Sequence, residues 1–209
     1  MSASRSKVTD EEIFAAVQRA MTQRSPHELT LAAVAAEAGV SPGRLVQRFG
    51  SKRALLLGLS ERFAGSAGAV FGQLRAAHRD PVATLRAYAM CMADLAATPE
   101  ALSRNLAYLQ IDLTDPEFRT HLLANARATR REIESLLRSA VDQGLLRPTV
   151  DIRGLAGAIE AVISGSLMTW ACYQEGPAAA WMRRHLDALL KPHLSPKRSS
   201  KPPRSTARR

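Results

Sequence analysis

Apolar residues recur at intervals of three and four along most of the chain. No stretch shows the sustained period-two alternation of a half-buried strand. Ile13, Phe14, Val17, Ala20 and Met21 share one face of a first helix, which a Thr9/Glu12 capping box opens and Ser25-Pro26-His27 breaks. Thr30 is the natural N-cap of a second, carrying Leu31, Val34, Ala35 and Ala38, and Gly39 sits where a helix end needs a left-handed residue. Val40 can fill the corner. Ser41 then caps a third helix with Pro42 in its first turn, and Leu45 and Phe49 face inward. Two short helices joined by so tight a turn predict a helix-turn-helix, whose second helix normally lies in the major groove of DNA.

Beyond it, Ser51 caps what reads as one long helix carrying Leu55, Leu56, Leu59, Phe63, Ala67, Val70, Phe71 and Leu74. Asp80-Pro81, Thr98-Pro99 and Asp115-Pro116 each pair a capping side chain with Pro at the first helical position. They predict helices near 81–97, 99–112 and 116–143, the last closed by Gly144. Two more follow, at 151–173 and, after Gly176-Pro177, at 177–190. The expected fold is all-α with about nine helices. A three-helix head over 8–50 carries the helix-turn-helix, and a larger helical domain spans 51–194. A short basic arm (1–7) and a basic, Pro-rich tail (195–209) flank them; the tail lacks the apolar residues to build a core and reads as disordered.

Charge sharpens the picture at one place. The net charge of the 209 residues is +10, and six of those charges belong to the tail, at Lys197, Arg198, Lys201, Arg204, Arg208 and Arg209. From Gly39 to Arg53 the chain carries Arg44, Arg48, Lys52 and Arg53 and no acid. Arg44 and Arg48 are four apart on one face with Gln47 beside them, and Arg and Gln are the side chains that bond guanine and adenine edges. Ala32, Ala33 and Gly43 are small enough to let a DNA backbone approach.

The run A-G-V-S-x-G-x-L-x-x-x-F-x-S-K-x-x-L, from Ala38 to Leu55, resembles the DNA-binding signature of TetR-family (tetracycline-repressor-like) transcriptional regulators. Thr30 followed by Val34-Ala35 fits the same pattern. The resemblance implies an all-helical homodimer with an N-terminal reading head and a C-terminal domain for dimerisation and a small-molecule effector. On that basis Thr30, Ser41, Pro42, Gly43, Arg44, Gln47, Arg48 and Lys52 are the expected DNA-facing residues. Arg44 and Gln47 would read bases; Thr30, Arg48 and Lys52 would anchor phosphates. The chain departs from the family pattern at Val46, where a phosphate-contacting Tyr is usual, and at Arg48, where His is common.

The resemblance also implies an effector cavity among the middle helices. The polar or polarisable residues there are Tyr88, Met92, Asn105, Tyr108, His121, Asn125, Met168, Trp170 and Tyr173, with Asp112 or Glu160 as possible selectors of a cation. The last two helices are expected to pair with their copies through Leu155, Ala158, Ile159, Val162, Gly165, Trp181, Leu186 and Leu189. A two-fold dimer of heads would suit a palindromic operator. The expected partners are therefore double-stranded DNA, a second copy of the chain and a small molecule, with no cofactor or metal.

Other classes find little support. The five histidines do not pair at i, i+4, and H-E-x-x-H, P-loop, nucleophile-elbow and G-x-G-x-x-G motifs are all missing. An all-α enzyme and a non-specific nucleic-acid binder driven by the tail are the remaining alternatives. Cys91 and Cys172 lack metal-ligand spacing and read as reduced core residues of a cytoplasmic protein. The longest charge-free apolar run, Ala161–Gln174, is too short to span a bilayer.

Overall fold

The computed structural model describes residues 8–196 and contains ten α-helices and one 3-10 turn. The expected arm over 1–7 and the tail from 197 onward lie outside the described residues. Helices α1 (Asp10–Gln23), α2 (Leu31–Ala38) and α3 (Pro42–Phe49) make the head. Each starts as its sequence dictates. Thr9 and Glu12 form a reciprocal capping box, Thr30 Oγ1 accepts from the Ala33 amide at 3.1 Å, and Ser41 Oγ accepts from the Arg44 amide at 3.3 Å. Gly39 ends α2 at φ +67°, a conformation that costs any L side chain. Ile13, Val17, Ala20, Leu29, Val34, Ala35 and Leu45 form the head's core, and Val40 packs against it.

The long helix expected from Ser51 is two helices. α4 (Lys52–Ala64) stops at Gly65 and α5 (Ala67–Ala77) starts after Ser66, so the described residues hold ten helices rather than nine. The break is a tight turn in which the Gly65 and Ser66 amides donate to the Arg62 and Phe63 carbonyls at 3.2 and 3.0 Å. The Ser66 hydroxyl also donates to the Phe63 carbonyl. These bonds satisfy the freed carbonyls of α4 and make the interruption inexpensive.

α6 (Pro81–Asp94), α8 (Pro116–Asp142), α9 (Ile152–Tyr173) and α10 (Ala178–Leu190) surround a second core of Leu85, Ile133, Leu137, Ile159, Met182 and Leu186. α5 packs on α6 and α8, while α7 (Pro99–Thr114) lies across α8 and α9 and reaches α1. α4 lies along α8 and gives Leu55, Leu56 and Leu59 to the head's core, where Tyr108 of α7 and Phe118 of α8 join them. Head and body therefore share apolar packing across this seam. A short 3-10 turn, Lys191–His193, follows α10, and the Ser195 amide then donates to the Leu145 carbonyl, so the chain stays anchored to the body through Ser195.

α9 is long and apolar enough by composition to cross a membrane, with a mean hydropathy of 1.4 over its best window. Arg153 and Glu160 interrupt its apolar run, so the charge-free stretch is shorter than the helix. Its Leu155, Ala156, Ile159, Ile163, Leu167 and Trp170 are buried against neighbouring helices, which is the placement of a core helix.

Candidate functional site

α3 stands at the edge of the head with Ser41, Pro42, Gly43, Val46, Gln47 and Arg48 exposed and Arg44 half-buried. Leu45, fully buried, fixes the helix to the head, with Phe49 against Phe14 at a centroid distance of 5.8 Å. A Cβ on Gly43 would meet nothing within 4 Å, so no contact inside the chain requires glycine there. The Arg44 guanidinium has no ion-pair or hydrogen-bond partner among the described residues. Thr30 is exposed at the start of α2, and its hydroxyl, which accepts the capping bond, keeps its own proton to donate.

Two of the expected phosphate anchors are already engaged. Arg48 pairs with Asp10 at 2.6 Å and donates to the Val8 carbonyl at 2.8 Å, which ties α3 to the start of α1. Lys52 Nζ donates to the Pro26 carbonyl at 2.9 Å. The sequence offered basic side chains on an acid-free segment; it did not show that acids and carbonyls from elsewhere would fold against two of them.

A second site lies where α1, α4, α6, α7 and α9 meet. An open apolar groove of about 670 Å³ is lined by Met92, Leu95, Asn105, Leu106, Leu109 and Met168, among others. Leu95 is 63% exposed and Met168 55%, and with Leu106 they line one groove, so the exposure is a contiguous apolar patch. Met21 and Phe63 line both this groove and a smaller cavity of about 80 Å³ in the seam between head and body. Tyr108 and Asp112 also line that cavity. The Tyr108 hydroxyl donates to the Arg24 carbonyl at 2.9 Å, and burial pushes its pKa up to about 12. Burial likewise raises the Asp112 carboxyl.

The expected effector residues thus divide. Met92, Asn105 and Met168 line the groove, and Tyr108 lines the inner cavity. Tyr88 lines a separate hollow beside Thr129 and Glu160, where burial raises its pKa. His121 and Asn125 are half-buried along α8 and line none of these three cavities. Trp170 is buried, and its Nε1 donates to the Gly176 carbonyl at 2.9 Å, bracing the α9–α10 turn. Tyr173 is exposed and stacks on Trp181. The apolar lining of α7 was missed, although Leu102, Leu106, Leu109 and Leu113 recur at helical spacing.

Of the expected dimer residues, Leu155, Ile159 and Leu186 are turned into the protomer's own core, and Trp181 is also largely buried. Ala158, Val162, Gly165 and Leu189 are half-buried and outward. With Thr169 and Cys172, the first three form one outer stripe on α9. Cys91 and Cys172 are exposed rather than buried, each on the outward face of its helix, α6 and α9.

The sequence matches the family model for bacterial regulatory proteins of the tetR family over residues 13–59. It matches the model for the tetracyclin repressor-like C-terminal domain over 105–186. The chain belongs to the tetR family. It is a DNA-binding, helix-turn-helix protein of transcription regulation. No curated protein sequence matches it significantly. Among solved structures it is similar to the TetR transcriptional regulator SCO0520 from Streptomyces coelicolor, with a TM-score of 0.66 and 20% identity. That match covers 90% of this chain and 99% of that one. FadR from Bacillus subtilis, solved in complex with stearoyl-CoA, aligns with a TM-score of 0.65 and 18% identity over 87% and 97% of the two chains. SmeT, the repressor of the Stenotrophomonas maltophilia multidrug efflux pump SmeDEF, gives 0.63 and 23% over 91% and 93%. At these identities the likeness is one of fold.

Proposed function

We propose that the protein is a cytoplasmic, homodimeric transcriptional repressor that reads a palindromic operator with α3 and leaves it when a small molecule occupies the groove. The observation that carries the reading is the exposed, acid-free face of α3, where Arg44 and Gln47 are presented beside an open Gly43. Arg44 and Gln47 read base edges. Thr30 and Ser41, with the free amides opening α2 and α3, hold phosphates, while Pro42, which has no N–H, only lines the contact. Arg48 serves as a brace to α1 rather than as a phosphate anchor. Lys52 spends one of its three N–H donors on the Pro26 carbonyl and turns the others to phosphate. The head spans 8–50 and the effector and dimerisation domain the rest of the body.

Dimerisation uses the outer stripe of α9, where small side chains at Ala158 and Gly165 allow close helix approach, together with Leu189 of α10. The groove is open and apolar, which fits a ligand with a large hydrocarbon surface, and FadR was solved with an acyl-CoA. A ligand there acts through its different affinity for two head arrangements. Chemistry on the ligand is not part of this reading.

Selection from random duplex DNA by the purified full chain tests the proposal. A recovered palindrome supports a dimeric, sequence-specific regulator. Binding without sequence preference that disappears on deleting 197–209 would leave a non-specific, tail-driven binder instead.

A further inference from the structure

We infer that the effector is an amphipathic organic cation: its ammonium or amidinium head pairs with Asp112 in the inner cavity and its apolar body lies in the adjoining groove. The inference rests on the groove being the effector site and adds the chemistry of the ligand.

The first observation is an unmatched carboxylate. Asp112 lies on α7, half-buried, with no hydrogen-bond donor or cation within bonding distance among the described residues. Around it stand Leu59, Phe63, Ile111 and Phe118, with Ser60 and Tyr108 as the polar neighbours. The Tyr108 proton is committed to the Arg24 carbonyl. The nearby cation Arg53 is committed elsewhere, to Asp115 at 2.7 Å and Glu117 at 2.5 Å. A carboxylate taken partly out of water without a partner is costly, and a ligand that brings a positive donor removes that cost. Burial raises the Asp112 pKa, the direction an uncompensated carboxyl shows. Of the carboxylates beside other cavities, Glu160 is bonded by Arg130, whose Nε lies 2.5 Å from it, Asp187 is bonded by Arg86 at 2.7 Å, and Asp94 is exposed to water.

The second observation is size. The inner cavity, about 80 Å³, holds a head group and not a whole ligand. The groove, about 670 Å³, takes a hydrocarbon body and is predominantly apolar. Met21 and Phe63 form part of both walls, so the two spaces adjoin, and the proposed ligand lies across that shared wall. Aromatic rings at Phe63, Tyr108 and Phe118 also favour a cation over an anion. A fatty acid laid in the same way would bring its carboxylate against Asp112, and a fatty alcohol would leave the charge unbalanced.

Isothermal titration of the full chain with dodecylamine, dodecanol and dodecanoate tests the assignment. The amine should bind about tenfold or more tightly than the alcohol, the order of one charge-assisted hydrogen bond, and the acid weakest. General electrostatics run the other way, because a protein of net charge +10 attracts the anion. In Asp112→Asn, with its thermal midpoint measured beside it, the preference for amine over alcohol should vanish while dodecanol affinity is kept. Should that variant fail to fold, the ranking of the three probes on the natural chain still decides. Equal binding of amine and alcohol, or an amine preference that survives in Asp112→Asn, overturns the inference and leaves the groove as an apolar effector site. Binding of none of the three overturns both.

Discussion

Arg53, just after the head, closes on Asp115 at the start of α8, Nε to Oδ2 at 3.1 Å and Nη2 to Oδ1 at 2.9 Å. The arginine sits in the first turn of α4, next to Lys52; the aspartate caps α8 by accepting from the Glu117 amide. The same guanidinium lies 5.6 Å from the centre of the Phe118 ring, which lines the inner cavity. One side chain thus joins the start of α4, just after the head, to the wall of the proposed effector site. Arg53→Ala should cost little stability, since the pair is solvent-accessible. It should also reduce the effect of a bound ligand on operator affinity. Operator titrations with and without saturating ligand, in both proteins, check this.

The same pair sets a pH dependence. The Arg53 guanidinium holds the Asp115 carboxyl below its ordinary value. Its contribution to stability is therefore present above the ordinary carboxylate pKa and is lost as pH falls through the lowered folded value. Asp115→Asn should flatten that part of the acid limb in urea melts taken from neutral pH downward.

Asp112 carries the opposite sign. Burial raises its pKa, so the folded protein binds a proton more readily than the unfolded chain. That contribution is full below the ordinary carboxylate pKa and disappears as pH rises through the raised value. Without ligand, Asp112→Asn should melt higher than the natural protein at neutral pH and no higher in acid. Calorimetry at two pH values suffices.

Two glycines of the helix-turn-helix should answer oppositely to alanine. Gly39 sits at φ +67°, so Gly39→Ala should destabilise the head by about 1 kcal/mol. Gly43 is inside α3 with open space at its Cβ, so Gly43→Ala should stabilise by up to about 1 kcal/mol. If Gly43 is small to admit DNA, its variant nonetheless binds operator more weakly. Melting curves and DNA titrations on both variants separate the two roles.

The outer α9 stripe predicts which substitutions would part the proposed dimer. Gly165→Glu and Val162→Glu should yield folded monomers in sedimentation. Ile159→Glu, which places a charge in the protomer's core, should unfold the chain.

Local chemistry made the head legible. Thr9, Thr30, Ser41 and Ser51 cap the helices they were expected to cap, and Gly39 ends α2 as its position requires. The Pro-marked starts of α6, α7 and α8 were equally plain, because a proline and its preceding capping residue act over one turn. The break at Gly65 was not. Gly58, Gly65, Gly68 and Gly72 are alike in sequence, and only the packing of α4 on α8 and of α5 on α6 decides which one interrupts the helix.

The site divides in the same way. The acid-free run around α3 could be read directly, but the engagement of Arg48 by Asp10 joins residues 38 positions apart and depends on the fold. Aromatic and polar residues looked like ligand contacts in the body, yet Trp170 and Tyr108 satisfy backbone carbonyls. Helical periodicity tells that a face is apolar, not whether it meets a helix or a groove, so the α7 leucines went unrecognised.

The most direct test of the account is binding of the natural chain and of Arg44→Ala to the selected operator and to single-base variants of it. The account predicts that Arg44→Ala weakens operator binding by about 1–3 kcal/mol and abolishes the base preference at one position in each half-site, symmetrically. Equal weakening on operator and unrelated duplex, with the base preference intact, would make Arg44 a phosphate contact and contradict the assignment of α3 as the reading helix.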